Sequence, residues 1–320
     1  MLTLMTQPEH AMAAARPEGE LPLLTTVKTA DGTRIPVRGL RAGPSTAASA
    51  VPSPPVVLVL PAMGTPARVY RHFARELHAA GLSVVTADLR GQGESTPRVT
   101  DPAARDHGFR TLLEQDFVAV LDAVRAEFGS GPPLFLLGHS LGGQLALLYA
   151  AAGPGPSVDG VVLVAAGSVW YRAYGAGRAP ALLAGTTLIA ATATLLGRWP
   201  GTRFGFGGNQ TKGIMRDWAR QGRTGRYRPA GSELDYESAL RALAVPVLAV
   251  SVEHDTYAPA SAVTHLVSKA PRAQVTRRHY TRHEAGARLD HFAWTRAGGA
   301  LARGVAEWTA ALPGLGRDSA

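Results

Sequence analysis

The chain contains no cysteine. Disulfide bonds, thiolate zinc sites and a thiol nucleophile are therefore excluded, and any covalent catalysis must use another side chain. Charged residues account for only 18% of the sequence and hydrophobic residues for 46%, which indicates a folded globular protein rather than a disordered chain. With 320 residues, the chain is long enough to bury the core of one large α/β domain or of two small domains.

The sequence also lacks the features of export and of membrane insertion. Its first twenty residues have neither a basic start nor a continuous apolar stretch. The longest apolar stretch, residues 179–197, contains a proline near its start and is interrupted by threonines and glycines, so it is a poor candidate for a membrane span. We therefore expect a cytoplasmic protein with no stable membrane insertion.

Positive charge exceeds negative charge, and the formal net charge is +9. The arginines are scattered and no nucleic-acid-binding motif accompanies them, so we expect a basic solvated surface and no nucleic-acid partner. One stretch, residues 198–230, has a single acid, Asp217, among many basic residues. These basic residues are Arg198, Arg203, Lys212, Arg216, Arg220, Arg223, Arg226 and Arg228. The stretch could attract an anionic substrate or an acidic carrier protein, or it could simply form a basic outer face.

Apolar runs alternate with helical patterns along most of the chain. Residues 23–28 and 34–40 flank Asp31-Gly32, a dipeptide typical of a tight turn, and predict two antiparallel strands. Apolar runs predict further strands, and apolar residues spaced three or four apart predict the helices between them. The further strands are 56–60, 82–87, 134–137, 161–165, 247–251 and 274–280, and the helices include 141–151, 259–270 and 295–312. The alternation predicts an α/β fold with a mainly parallel central sheet and helices on both faces.

The alternation pauses in the middle of the chain, where the sequence predicts an inserted helical cap. The predicted organisation is a flexible N-terminal tail at 1–22, a first core part at 23–169, the cap insertion at 170–236 and a second core part at 237–320. No internal repeat is evident in the sequence.

Gly138-His139-Ser140-Leu141-Gly142 is the only stretch of the chain that fits the nucleophile-elbow pattern. The pattern needs glycines on both sides of the serine, because a sharp turn from a strand to a helix leaves no room for side chains. Here the pattern follows a predicted buried strand and precedes a predicted helix, a position that exposes the serine hydroxyl at the carboxyl edge of the sheet. Ser140 is therefore the predicted nucleophile.

A serine hydroxyl needs an adjacent base that is itself oriented by an acid. Asp255 lies in a polar loop after an apolar strand and is the predicted acid, with Glu253 as the alternative. His291 follows the last predicted strand and is the predicted base. His279 and His283 lie earlier in the same region and remain alternatives for this role.

The oxyanion of a tetrahedral intermediate needs two N–H donors, usually one from the residue after the nucleophile and one from the loop after the first parallel strand. In this sequence, the predicted donors are the backbone N–H groups of Leu141 and Met63. Met63 lies in Pro61-Ala62-Met63-Gly64, directly after the apolar run 56–60. Its side chain can line a pocket or fill a gap in the core.

Four motifs in this order resemble those of the α/β-hydrolase superfamily, and the resemblance covers residues from about 23 to about 312. Besides the elbow, the acid loop and the late histidine, Asp88-Leu89-Arg90-Gly91-Gln92-Gly93-Glu94-Ser95 is similar to a structural string of many members. Pro61-Ala62 stands where members often have His-Gly. Pro61-Ala62-Met63-Gly64 and Met215-Arg216-Asp217-Trp218 also resemble a group of bacterial predicted α/β-hydrolases, and this likeness implies no particular substrate.

These residues predict a serine hydrolase that cleaves a carboxylic ester through an acyl-enzyme, with no cofactor and no metal. A thioesterase or an acyltransferase acting on an acyl-CoA or a carrier-bound acyl group would use the same residues and is the alternative. A protein of this fold that binds a small ligand without turnover is a further alternative. The expected partner is a small-molecule ester or acyl substrate.

Overall fold

The computed structural model describes residues 19–43 and 53–313. The predicted tail, residues 1–22, therefore lies mostly outside the described residues. Leu21, at the end of that tail, is buried in the core, and its carbonyl oxygen accepts a hydrogen bond from Arg38 at 3.0 Å.

A mainly parallel sheet forms the centre of the molecule. The strands in the described part of the chain are β1 (Leu23–Lys28), β2 (Arg34–Leu40), β3 (Val56–Leu60), β4 (Ser83–Ala87), β5 (Leu134–His139), β6 (Gly160–Val164), β7 (Arg198–Pro200), β8 (Asn209–Thr211), β9 (Val247–Val252) and β10 (Val275–Tyr280). Eight of them form one sheet in the order β1-β2-β4-β3-β5-β6-β9-β10, whereas β7 and β8 pair separately. The first two strands are antiparallel to their neighbours, and the other six run parallel. The predicted fold class is confirmed.

Helices cover both faces of this sheet. The helices of the described residues are α1 (Arg71–Ala79), α2 (Phe109–Thr111), α3 (Phe117–Phe128), α4 (Leu141–Ala152), α5 (Ala179–Leu195), α6 (Gly201–Phe204), α7 (Lys212–Thr224), α8 (Tyr236–Ala242), α9 (Ala260–Val267), α10 (Arg282–Ala285) and α11 (Gly299–Ala310). Residues of α1 and α11 share one apolar core with the sheet, and residues of α3, α4, α8 and α9 share the other. Every residue of β3, β4, β5 and β6 is buried, which explains why these strands read as continuous apolar runs.

The predicted strands lie within two residues of the observed ones at each end. The last helix differs more, because the predicted segment 295–312 is divided. A short 3₁₀ turn, Ala293–Thr295, precedes α11, which begins at Gly299. Gly298 and Gly299 are poor helix formers, and a Cβ at Gly298 would lie 2.4 Å from the ring of Phe73. The chain therefore bends at this pair of glycines.

Residues 170–236, which we call the inserted segment, lie between β6 and β9 and contain α5, α6, α7 and the β7–β8 pair. Asp217 on α7 joins this segment to the core. Its Oδ2 accepts a hydrogen bond from the Phe109 N–H at 3.0 Å, and its Oδ1 accepts one from the Ala230 N–H at 3.1 Å. None of the helices in the described residues is both long enough and apolar enough to cross a bilayer.

Candidate active site

Ser140 occupies a sharp turn between β5 and α4. Its backbone angles are φ 53° and ψ −117°, a left-handed conformation that costs energy for a residue with a side chain. The glycines around it permit a close approach of the backbone. A Cβ at Gly142 would lie 2.3 Å from the carbonyl oxygen of Leu60, and one at Gly138 would lie 2.3 Å from Cα of Gly143. The turn therefore has the geometry of a nucleophile elbow.

Asp255 and His291 meet at the carboxyl edge of the sheet, where β9 ends. Asp255 Oδ1 accepts hydrogen bonds from the N–H groups of Tyr257 and Ala258, each at 2.8 Å. Asp255 Oδ2 lies 2.8 Å from Nδ1 of His291, and both side chains are buried. A carboxylate in this position favours a proton on Nδ1 and leaves Nε2 free to accept one.

The alternative acid and bases lie elsewhere. Glu253 points toward α10, where its Oε2 accepts a hydrogen bond from the Arg282 N–H at 2.6 Å. His279 and His283 are exposed, and His279 Nδ1 lies 2.8 Å from the hydroxyl of Ser251. Glu253, His279 and His283 do not line the cavity that contains Ser140 and His291.

The two predicted oxyanion donors lie beside Ser140. Leu141 is the first residue of α4, so its N–H has no acceptor within the helix. Met63 lies in the turn after β3, and both residues line the same cavity as Ser140. The neighbouring Ala62 N–H donates a hydrogen bond of 2.9 Å to the hydroxyl of Tyr70, which fixes this turn.

Tyr70 also contacts the elbow through His139, a residue that the sequence analysis did not assign. The Tyr70 hydroxyl lies 2.7 Å from Nδ1 of His139. Burial, and then the neighbouring His291, lower the pKa of His139 well below its ordinary value, so this imidazole is neutral. The hydroxyl of Tyr70 therefore bridges the Ala62 N–H and Nδ1 of His139. Tyr70 thereby connects the turn after β3 to the residue before the nucleophile.

Ser140 and His291 open into a mostly apolar cavity of about 430 Å³. The inserted segment supplies much of its wall, through Ala181, Leu182, Gly185 and Ile189 of α5 and Trp218 of α7. Among the described residues, no aspartate or glutamate lines this cavity. Within residues 19–43 and 53–313, no cluster of three His, Asp or Glu side chains suited to a metal ion occurs.

Two polar residues of the cavity wall were missed by the sequence analysis. Arg178, just before α5, donates a hydrogen bond of 2.9 Å to the carbonyl oxygen of Thr256. Tyr174 donates one of 2.7 Å to the carbonyl oxygen of Tyr257. Both residues therefore attach the inserted segment to the loop that carries Asp255. No motif or spacing in the sequence distinguishes Arg178 from the other arginines of this region.

The arginines of α7 lie elsewhere. Residues 212–224 form a helix that carries Arg216, Arg220 and Arg223, but none of these three lines the cavity. Arg220 is held by the carboxylate of Asp217 at 3.3 Å and by the carbonyl oxygen of Arg228. The cavity wall therefore gives no support to an attraction of anionic substrates by these three residues.

The parallel sheet and the serine-bearing turn after β5 define an α/β-hydrolase. The family model described as serine aminopeptidase, S33, matches residues 52–217, and the chain belongs to this family of α/β-hydrolases. No protein of curated function matches the chain by sequence.

Solved structures of hydrolases share the fold. Est1E from Butyrivibrio proteoclasticus, whose structure contains ferulic acid, has a TM-score of 0.56 and 14% identity, covering 89% of this chain and 97% of its own. The enol-lactonase from Burkholderia xenovorans LB400 has a TM-score of 0.53 and 16% identity, covering 87% and 96%. The esterase RhEst1 from Rhodococcus sp. ECU1013 has a TM-score of 0.52 and 20% identity, covering 90% and 98%. At these identities, the similarity shows the fold alone.

Proposed function

We propose that this protein is a serine hydrolase that cleaves carboxylic esters of apolar acids through an acyl-enzyme at Ser140. The observation that carries the proposal is that Ser140 of the elbow and His291, which is paired with the buried Asp255, line one apolar cavity. The fold neighbours that are esterases and lactonases agree with this class of reaction.

In the proposed reaction, His291 Nε2 takes the proton of the Ser140 hydroxyl while Oγ attacks the ester carbonyl carbon. Asp255 holds the imidazole with its Nδ1 proton directed at Oδ2 and stabilises the imidazolium that forms. The N–H groups of Leu141 and Met63 donate hydrogen bonds to the oxyanion. His291 then gives its proton to the leaving alkoxide. In the second half of the reaction, His291 takes a proton from a water molecule that attacks the acyl carbon, and it returns this proton to Ser140 Oγ as the carboxylic acid is released.

The composition of the cavity wall favours an ester over a peptide substrate. An aminopeptidase must bind a free ammonium group, and a buried cation needs a nearby carboxylate. The described residues that line the cavity include no carboxylate and one arginine, Arg178. A neutral acyl group matches this wall, whereas a free amino terminus would be left without a counter-charge.

The first test is covalent labelling with a fluorophosphonate probe. We expect the wild-type protein to be labelled and Ser140→Ala to be unlabelled with an unchanged circular dichroism spectrum, because the serine is partly exposed and its loss costs little stability. Labelling of Ser140→Ala at the wild-type rate would refute the assignment of the nucleophile.

The second test identifies the substrate class. The value of kcat/KM should be measured for three classes of substrate. These are p-nitrophenyl esters of increasing acyl length, acyl-CoA thioesters and aminoacyl p-nitroanilides. We expect the esters to react fastest, because a cavity of this size and polarity holds an acyl chain. Faster cleavage of the anilides would favour an aminopeptidase, and faster cleavage of the thioesters would favour the thioesterase alternative.

A further inference from the structure

The inserted segment exposes a group of large apolar side chains that the proposed reaction does not use. Leu188 is 68% exposed, Leu195 is 85% exposed, and Leu196 and Phe204 are each 62% exposed. We call these four residues the apolar patch. Large apolar side chains that are exposed together on a protein surface commonly mark an interaction site.

The patch continues along one face of α5. Ala184, Leu188, Ala191 and Leu195 recur at intervals of three or four residues and are all exposed. The helix contains no charged residue at all. Its inner face already packs on α7 and lines the cavity. A surface helix usually carries charge on its solvent side, so α5 has a second apolar face that lacks a partner in the described residues.

The charged residues of the chain segment that contains the patch are all of one sign. No acidic residue occurs between Asp159 and Asp217, whereas this interval contains several cations. The cations are Arg172, Arg178, Arg198, Arg203, Lys212 and Arg216. Arg198 and Arg203 lie beside the patch, are exposed, and form no ion pair with a described residue. An anionic partner would therefore meet unpaired guanidinium groups next to exposed leucines.

We propose that the apolar patch docks on the surface of an anionic phospholipid bilayer. The side chains of Leu195, Leu196 and Phe204 would enter the boundary between headgroups and acyl chains, and Arg198 and Arg203 would contact lipid phosphates. The inner face of α5 lines the cavity, so docking brings the cavity wall next to the lipid.

A second copy of the chain fits the patch less well. In a twofold contact, the same surface of each copy meets its counterpart, so the unpaired arginines of one copy would approach those of the other. Each copy also carries a net charge of +9, so the two copies repel each other as a whole. Charge complementarity therefore favours an anionic lipid surface over a second copy of the chain.

The experiment is flotation with vesicles of phosphatidylcholine alone and of an equal mixture of phosphatidylcholine and phosphatidylglycerol. We expect the wild-type protein to float with the mixed vesicles and much less with phosphatidylcholine. Leu195→Ser/Leu196→Ser/Phe204→Ser should lower the partition coefficient about a hundredfold or more. Arg198→Gln/Arg203→Gln should lower it about tenfold or more, and added salt should weaken the wild-type binding.

Matched controls separate docking from nonspecific hydrophobic adsorption and from catalysis. Leu23 and Leu234 are also exposed but lie outside the patch, so Leu23→Ser/Leu234→Ser should float like the wild type. Ser140→Ala should float like the wild type as well, which keeps this test independent of the proposed reaction. The triple serine variant should keep its activity on a water-soluble ester and lose activity on an ester embedded in mixed vesicles.

Several outcomes would overturn docking. These are an absence of flotation, equal flotation with both vesicle types, and an equal loss in the Leu23→Ser/Leu234→Ser control. Sedimentation should be measured in parallel. A wild-type dimer that the triple serine variant converts to a monomer, with unchanged vesicle binding, would show that a second copy covers the patch.

Discussion

The acid of the proposed triad rests on a choice between Asp255 and Glu253, two carboxylates separated by one residue. Asp255 receives two backbone N–H groups and faces His291, whereas Glu253 faces Arg282. We expect Asp255→Asn to lower kcat by about three orders of magnitude or more, because an amide favours the wrong imidazole tautomer. His291→Ala should be at least as severe. Single-turnover release of p-nitrophenol measures both effects.

Glu253→Gln is the matched control for Asp255→Asn, since it makes the same change of carboxylate to amide at the same strand end. Its kcat should stay within a few-fold of the wild type. If Glu253→Gln were the more damaging of the two substitutions, the acid would have to be reassigned.

Tyr70 is a positioning residue in the proposed reaction, because it acts on the oxyanion turn without lining the cavity. Tyr70→Phe keeps the ring but leaves the Ala62 N–H and Nδ1 of His139 without their partner. We expect kcat to fall about tenfold while KM changes little, since a misplaced donor weakens binding of the oxyanion more than binding of the ester. The free energy of unfolding should fall by about 2 kcal/mol or more, because two buried polar groups lose their partner.

Tyr171→Phe is the control for Tyr70→Phe, because it removes a tyrosine hydroxyl that contacts only Arg172 on the surface. Its kinetics should match the wild type. A rise in KM at constant kcat in Tyr70→Phe would point to substrate binding rather than to the oxyanion and would contradict the positioning role.

At the scale of single residues, the sequence predicted what depends on local backbone geometry. Ser140 was recognisable because a nucleophile elbow requires glycines at fixed distances from the serine. The roles of Tyr70 and His139 were not, since their contact joins residues 69 positions apart and leaves no local pattern. Asp255 and Glu253 could be ranked but not separated from sequence, because only tertiary packing decides which carboxylate faces the imidazole.

At the scale of elements, a buried carboxylate, Asp217, helps to attach α7 to the core. Burial raises the pKa of Asp217, and hydrogen bonds from Phe109 and Ala230 oppose this rise. Asp217→Ala would leave both N–H groups unpaired, so we expect the free energy of unfolding to fall by about 2 kcal/mol. Urea denaturation followed by tryptophan fluorescence measures this, because Trp218 lies on the same helix.

The control for Asp217→Ala is Asp122→Ala, at an exposed position of α3. The free energy of unfolding of this variant should lie within about 0.5 kcal/mol of that of the wild type. Equal stability of Asp217→Ala and the wild type would mean that the two hydrogen bonds to Asp217 make no net contribution to the stability of the fold.

The elements themselves were largely predictable where both faces of a strand are buried, because apolar runs then coincide with strands. The inserted segment was recognisable only as an interruption of the alternation. Its helix α5 is apolar on both faces, so its pattern could not tell the side that lines the cavity from the side that is exposed. For the same reason, the spacing of Arg216, Arg220 and Arg223 places them on one face of α7 but does not tell the direction in which that face points.

At the scale of the whole molecule, the fold follows from the order of strands and helices, whereas the chemistry of the cavity depends on contacts between distant segments. Arg178 and Tyr174 of the inserted segment bond to the acid loop about eighty residues later in the chain. Such contacts have no signature in a single sequence. The cytoplasmic location and the lack of a cofactor remain predictions from the sequence.

Two buried histidines, His107 and His139, each lower the stability of the fold in mild acid. Burial lowers the pKa of His107 to about 4, while a hydrogen bond to the Arg105 carbonyl opposes the shift and Arg90 adds to it. Burial also lowers the pKa of His139. A histidine with a lowered folded pKa stabilises the native state above its unfolded pKa of about 6.5, and this contribution is lost as the pH falls toward the folded pKa.

Asp116 acts in the opposite direction, because burial raises its pKa to about 6 despite its bond to Arg90. Its contribution is present at low pH and is lost as the pH rises through about 6. The net slope of wild-type stability with pH therefore mixes both effects, and a single histidine must be isolated by substitution. His107 is suitable, because it contacts the Arg105 carbonyl through Nδ1 and an asparagine can donate the same hydrogen bond.

We therefore expect His107→Asn to lose less stability on acidification than the wild type. Between about pH 7 and about pH 4, the wild type should lose up to about 3 kcal/mol more than the variant, which corresponds to the shift of one buried histidine. Urea denaturation at several pH values in this interval gives both curves, and the contribution of Asp116 cancels in their difference. Parallel curves across the interval would show that His107 has no lowered pKa in the folded protein.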